Sequence, residues 1–345
     1  MDGILRYRRL RQYANGRRIP RIRHLRDRFS PLEEYGSEDF RMRFRLRKES
    51  VIRLANILQT DLEHETMRGR PLAPMQQILI TLRFYATGSF QRVVGDLFGI
   101  SIFAVSTVIH KVSRAIAKRK GQFISFQPDL SETKRKFYEI AHFPGVVGAI
   151  DCTHVRIVCP DRDSAMAFIN RKQFYSINVQ AVCDSEAVIT NIVARWPGST
   201  HDSRIFENST VAERLRDGDI DGMLVGDSGY ACKSYLMTPI LRPTNEEEVR
   251  YNIAHRRTRC IIERCFGILK RRFPCVHSGM RTFLRNTLVI IVAVAVLHNF
   301  ALSQREPNFD DDMADDDDVP CDVINAANAS GTAKRQLIIS QYFQP

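Results

Sequence analysis

Gly145-Val146-Val147-Gly148-Ala149-Ile150-Asp151 is a short apolar run that ends on a carboxylate, and the chain changes character around it. Upstream, apolar residues recur at helical spacing; from Pro144 onward they recur every second residue. Tyr175 to Asp184 alternates Ile177, Val179, Ala181 and Cys183 against Ser176, Asn178 and Gln180, and Val188 to Trp196 and Met223 to Val225 read as further strands. A long helix is expected from about Ala254 to Phe273. Three strands in succession, a crossover, a fourth strand and a helix predict a mixed α/β sheet with helices packed on it.

Before the sheet, Ile78, Leu79, Leu82 and Tyr85 keep helical spacing up to a break at Gly88. Two short helices on either side of Gly99-Ile100-Ser101 make a helix-turn-helix, with Ser89 and Ser101 as expected N-caps. In that arrangement Ser106, Thr107 and His110 face a DNA groove while Lys111, Arg114, Lys118, Arg119 and Lys120 meet phosphates. An ordinary helical hairpin packed on its neighbours fits the same pattern. The expected organisation is therefore a basic arm and helical region over 1–70, a helix-turn-helix-like all-α domain over 71–122, a mixed α/β domain over 145–303 and a largely unstructured acidic tail over 304–345.

Charge points to a polyanionic partner. The chain carries a formal net charge of +12. Residues 1–28 hold ten arginines against Asp2 and Asp27, and residues 304–345 hold nine acids against three bases, so the body between them is itself basic. Nucleic acid is the first candidate. An Arg-rich, acid-poor opening suits a nuclear-localisation or phosphate-gripping arm, and also an organelle transit peptide. Eight cysteines without a CxxC pair read as reduced thiols. The longest apolar run, Leu288 to Leu297, is about half a membrane span and reads as a buried helix; no membrane is expected as a partner.

Asp151 and Asp227 each close an apolar strand, where an α/β scaffold presents side chains to a cleft. Strands also end in Asp for turn chemistry alone. Glu263 lies on the long helix, with Arg256, Arg259 and Lys270 on its side and Ile261, Cys265 and Ile268 opposite. Pairing with Arg259 one turn away explains Glu263 equally well. Phosphodiester cleavage needs an activated water and a stabilised leaving oxygen, and two Mg²⁺ or Mn²⁺ ions held by hard oxygens supply both. Three carboxylates are a minimal cage for such a pair. Arg256, Arg259 and Lys270 are expected to grip phosphates.

Several ordered motifs resemble the PIF/Harbinger-type DDE transposase superfamily (IS5-like), and within it the animal Harbinger-derived nucleases. They are Gly148-Ala149-Ile150-Asp151-Cys152-Thr153-His154, Asn170-Arg171-Lys172, Ser176 through Asp184, Trp196-Pro197-Gly198-Ser199-Thr200-His201-Asp202-Ser203, Gly226-Asp227-Ser228-Gly229-Tyr230, Glu248 through Asn252, and Ile262-Glu263-Arg264 with Phe266 through Phe273. The resemblance covers about Pro74 to Leu302. It implies an RNase H-like catalytic fold, a DDE set at Asp151, Asp227 and Glu263, and Asp202 near the metal; a cap for the helix starting near His201 is the other reading of Asp202. It further implies a divalent cation (Mg²⁺ or Mn²⁺), DNA as substrate, a Myb/SANT-like protein partner and a location in the nucleus, alone or shared with the cytoplasm. It leaves a homo-oligomer open. Cys152 departs from the glycine usual at that position.

Two other classes fit less well. A zinc site from Cys152 with His154, or from Cys260, Cys265 and Cys275, lacks the usual ligand spacing, and no G-x-S-x-G nucleophile elbow is present. The rival from a different class is a DNA-binding adaptor that keeps the fold without cutting.

Overall fold

The computed structural model describes residues 29–63, 71–160, 163–309 and 328–344. The Arg-rich opening and the block Asp310 to Asp318 lie outside these residues. Among the described residues eight helices precede the sheet: α1 (Pro31–Glu34), α2 (Ser37–Phe44), α3 (Lys48–Leu62), α4 (Pro74–Thr87), α5 (Gln91–Phe98), α6 (Ile102–Ala117), α7 (Lys120–Phe123) and α8 (Ser131–Ala141). Then come β1 (Val146–Arg156), α9 (Ala165–Phe168), β2 (Ser176–Cys183), β3 (Ile189–Pro197), α10 (Asp202–Glu207), α11 (Thr210–Asp217), β4 (Met223–Val225) and β5 (Leu236–Met237). Helices α12 (Glu246–Arg272), α13 (Leu284–Ser303) and α14 (Ala329–Tyr342) follow.

The sheet order is β3-β2-β1-β4-β5, with β2 antiparallel to β1 and β3 and with β4 parallel to β1 and β5. This is the mixed α/β, RNase H-like arrangement. Glycine at 148 is required by the packing: a Cβ there would come within 2.6 Å of Val182 and 3.0 Å of Leu224. One face of the sheet packs α10 and α11 through Phe206, Val211 and Leu215 against Val147, Ile150 and Val182. The other carries α12, α13 and the helical region in one larger core. Asn299 of α13 satisfies the β3 edge, accepting from the Ile189 amide at 2.8 Å and donating to the Ile189 carbonyl at 2.7 Å. Helix α13 has the length and composition of a membrane span but is mostly buried in protein.

Four expectations change. β1 does not stop at Asp151. It continues to Arg156 because β2 keeps pairing with it, while its parallel partner β4 ends at Val225 opposite Ala149. Asp151 is thus within the strand, at the point where β1 outlasts β4. Helix α12 begins eight residues earlier than expected, capped by Asn245, whose Oδ1 accepts from the Glu248 amide at 2.8 Å, with Glu246, Glu247 and Glu248 favouring the positive end of the helix dipole. Ser89 is not an N-cap: α5 starts after Phe90, and the Ser89 hydroxyl meets Thr87 instead. Ser101 does cap α6, accepting from the Ala104 amide at 3.2 Å.

The fourth concerns organisation. A single core runs from Phe40 through Leu82, Val112, Ile262 and Val294 to Phe343, so the helices over 31–117 share their interior with the five-stranded sheet. After α13, Glu306 and Phe309 are buried, and α14 packs on α12 with Ile338 and Ile339 inside. Residues 304–309 and 328–344, within the expected tail, are thus folded.

Candidate active site

Successive residues of a strand face opposite ways, and β1 uses this to divide the site. Asp151 points to α12, where its Oδ2 accepts from Arg259 Nη1 at 2.9 Å. Cys152 points to the other face and its thiol lies 3.3 Å from the Tyr230 hydroxyl. Asp227 follows β4 by two residues, and its Oδ1 accepts from the Gly229 amide at 3.0 Å, fixing the turn. Gly226 before it has no room for a side chain, since a Cβ would lie 2.9 Å from Tyr230 and 3.1 Å from Ile150. Glu263 comes from α12 and accepts from Arg259 Nη2. Asp202, the first residue of α10, accepts from Asn178 Nδ2 at 2.8 Å, and the same amide donates to the Thr200 carbonyl at 2.9 Å.

Asp151, Asp202, Asp227 and Glu263 all line one cleft of about 1050 Å³, together with Arg256, Arg259 and Lys270. Burial holds the Asp151 carboxyl well above the usual carboxylate range, and the charge of Asp227 adds to the shift; Arg259 opposes it. Burial alone would lower the Arg259 pKa, but Asp151, Glu263 and Asp227 outweigh it and raise it. This guanidinium therefore serves as counter-ion to carboxylates from β1, α12 and the turn after β4. Among the described residues no group of three or more His, Cys, Asp or Glu side chains stands together at ligating distance. The donor chemistry still suits a hard divalent cation: four carboxylates face one cleft, and burial together with the charge of Asp227 disfavours the charged form of Asp151.

The cation stripe differs from expectation. Arg256 is exposed at the cleft, whereas Lys270 is only 5% exposed and forms part of its wall. Helix α12 is long enough that its last turns run beneath the helical region, so a periodic position that is open at Arg256 is covered at Lys270.

None of the helix-turn-helix residues lines the cleft. Helices α5 and α6 are bent by 103° about Gly99, whose φ of 63° suits glycine. Thr107 is exposed and bonds the Phe103 carbonyl, Ser106 is half-buried, and burial lowers the His110 pKa, with Arg114 and Arg285 adding to the effect. The expected phosphate contacts are largely engaged elsewhere. Lys111 donates to the Leu62 carbonyl at 2.9 Å and the Glu63 carbonyl at 3.2 Å, Lys118 and Arg119 both reach Asp61, and Lys120 donates to the Ile192 carbonyl. Lys111, Lys118 and Arg119 thus gather at the C-terminal end of α3, and Lys120 turns to β3. Lys111→Met should therefore cost about 1–2 kcal/mol in denaturant unfolding and leave the salt dependence of DNA binding unchanged. A log–log slope reduced by about one would instead place Lys111 on a phosphate.

Asn178 was not foreseen as a site residue. Its only signal was a polar side chain at an inward position of β2, where it is fully buried. Arg259 was expected to hold phosphate and is found between carboxylates. The cysteines of the zinc alternative are dispersed: Cys260 is exposed, Cys265 and Cys275 are buried, and His154 lies 3.1 Å from the Ser176 hydroxyl.

The strand order is that of an RNase H-like domain, and the DDE superfamily endonuclease family matches residues 150–299. The chain is 34% identical over 283 residues to "Putative nuclease HARBI1" of Homo sapiens, covering 80% of each chain, and 35% identical over the same share to that of Mus musculus. "Protein ALP1-like" of Arabidopsis thaliana is 26% identical over 70% of this chain and 64% of its own. No solved structure matches. The chain belongs to the Harbinger-derived nuclease family of the DDE superfamily.

Proposed function

We propose that the protein is a divalent-metal-dependent DNA endonuclease that hydrolyses phosphodiester bonds with Asp151, Asp227 and Glu263 as its carboxylate set and Asp202 assisting. The observation that carries this reading is that these residues, 151, 202, 227 and 263 in sequence, line one cleft at the end of β4 and beside α12. Bound Mg²⁺ or Mn²⁺ ions supply an activated water and stabilise the leaving oxygen. The protein's part is orientation. Two neighbouring strands hold Asp151 and Asp227, Asn178 holds Asp202 toward the cleft, and Arg256 at the opening draws in the phosphate backbone.

DNA binding that falls steeply with salt accompanies this reading, as do a nuclear location and a Myb/SANT-like partner that supplies sequence recognition. A second reading, a DNA-binding adaptor that keeps the fold, draws on the Arg259 bridge, which already neutralises two of the carboxylates. Titrating the purified protein with Mg²⁺ and Mn²⁺ while following nicking of supercoiled plasmid separates the two. Metal-dependent nicking supports the nuclease; carboxylate-independent behaviour with DNA binding intact supports the adaptor.

A further inference from the structure

We propose that Arg259 competes with the divalent metal for Asp151 and Glu263 and is drawn off them by DNA phosphate, so that metal and DNA load the site cooperatively. This rests on the metal-dependent reading above and concerns a positioning residue.

The geometry is a single planar fork with one nitrogen on each carboxylate. Nη1 meets Asp151 Oδ2 at 2.9 Å and Nη2 meets Glu263 Oε1, joining β1 to α12 across 108 residues. The bonded oxygens belong to two of the three carboxylates that a metal pair needs. A metal ligated by both carboxylates enters the space between them that the guanidinium occupies, so the two cations compete for the same pair of groups. Arg259 is also the cation able to leave: its side chain is 20% exposed, it lines the same cleft as the exposed Arg256, and it sits one turn further along α12. A phosphodiester entering past Arg256 presents the same paired oxygens that a guanidinium binds bidentately. Once Arg259 bonds phosphate, Asp151 and Glu263 are free to ligate. By thermodynamic linkage the effect is reciprocal, metal favouring DNA as much as DNA favours metal.

The test is Mn²⁺ affinity, read from the electron paramagnetic resonance of free Mn²⁺, with and without a duplex oligonucleotide. For the wild type we expect DNA to tighten Mn²⁺ binding by about 10-fold or more. Arg259→Gln should bind Mn²⁺ about 10-fold more tightly than the wild type without DNA, and DNA should then change its affinity less than about 2-fold. Arg259→Lys covers the case in which the glutamine variant fails to fold. Its ammonium cannot bridge both carboxylates, so Mn²⁺ affinity should fall between those of the wild type and Arg259→Gln, or clearly above the wild type if only the lysine variant is available. A merely structural ion pair gives a lower melting temperature with Mn²⁺ affinity unchanged or weakened, and that result overturns the proposal while leaving the nuclease reading standing. Absence of Mn²⁺ binding by the wild type, with DNA as well as without, overturns both.

Discussion

Replacing Asp151 with alanine is expected to lower metal-dependent nicking of supercoiled DNA by at least about 10³-fold, with the fold retained. Asp151 stands where β1 outlasts β4, facing Arg259, and burial, with the charge of Asp227 adding to it, raises its pKa. A loss of about 10³ corresponds to roughly 4 kcal/mol of barrier, within what metal coordination supplies. Stability should move little, because two effects oppose. Arg259 loses one partner but keeps Glu263, and Asp227 loses a like-charged neighbour. Removal of such crowded groups is commonly neutral or stabilising. Asp151→Asn, which keeps the volume, should behave the same way in nicking. Plasmid nicking beside thermal unfolding checks this, and residual nicking by Asp151→Ala within 10-fold of the wild type would remove Asp151 from the catalytic set.

Asp151, Asp227 and Glu263 stand out in the sequence by their flanking pattern. Two follow apolar runs, and the third rides a helix whose opposite face is apolar. How they interact could not be read. The Arg259–Glu263 pair is local, four residues apart, and was legible as a helix pair; the Arg259–Asp151 bond spans 108 residues and depends on how α12 crosses the sheet. Lys270 illustrates the same limit. Helical spacing puts it on the side of Arg259, yet the far end of α12 runs under other elements and buries it.

The fold shows a similar division. Alternation over Ser176–Cys183 is clear in the sequence, and Ile189–Pro197, which pairs with it, reads as a strand from its apolar and β-branched residues. Leu236–Met237 is two residues long and has no period to detect; it is a strand only because β4 is beside it. The start of α12 was legible and was missed: Asn245 followed by three glutamates is a helix-opening signature. The basic end of α6 was misjudged for a different reason. Lysines there read as solvent-facing, but Lys111 finds the carbonyl end of α3 some fifty residues earlier in the chain, a pairing with no sequence signal.

Arg272 carries the other large expected effect, on stability. The last residue of α12 is 1% exposed. Its guanidinium donates to the Arg45 carbonyl at 3.1 Å and to the Pro307 carbonyl at 2.9 Å, and lies 5.3 Å from the centre of the Phe309 ring. It thereby ties the catalytic helix to the segment after α2 and to the one after α13. Burial lowers its pKa to about 10, with Glu306 opposing and Arg41 and Arg45 adding to the effect, so it remains charged near neutrality. Arg272→Met keeps much of the volume but leaves these carbonyls without their donor and Glu306 beside one less cation. The expected cost is about 3–5 kcal/mol in denaturant unfolding. Trp196, the single tryptophan, lies on β3 and reports the sheet, while far-UV circular dichroism reports mainly the helices. Because Phe40, Val112 and Ile262 share one core, both probes should shift together in the variant. If the helical region were a separate domain, the dichroism would move to lower denaturant and the tryptophan transition would stay in place, since the hydrogen bonds of Arg272 go to Arg45, Glu306 and Pro307, away from β3.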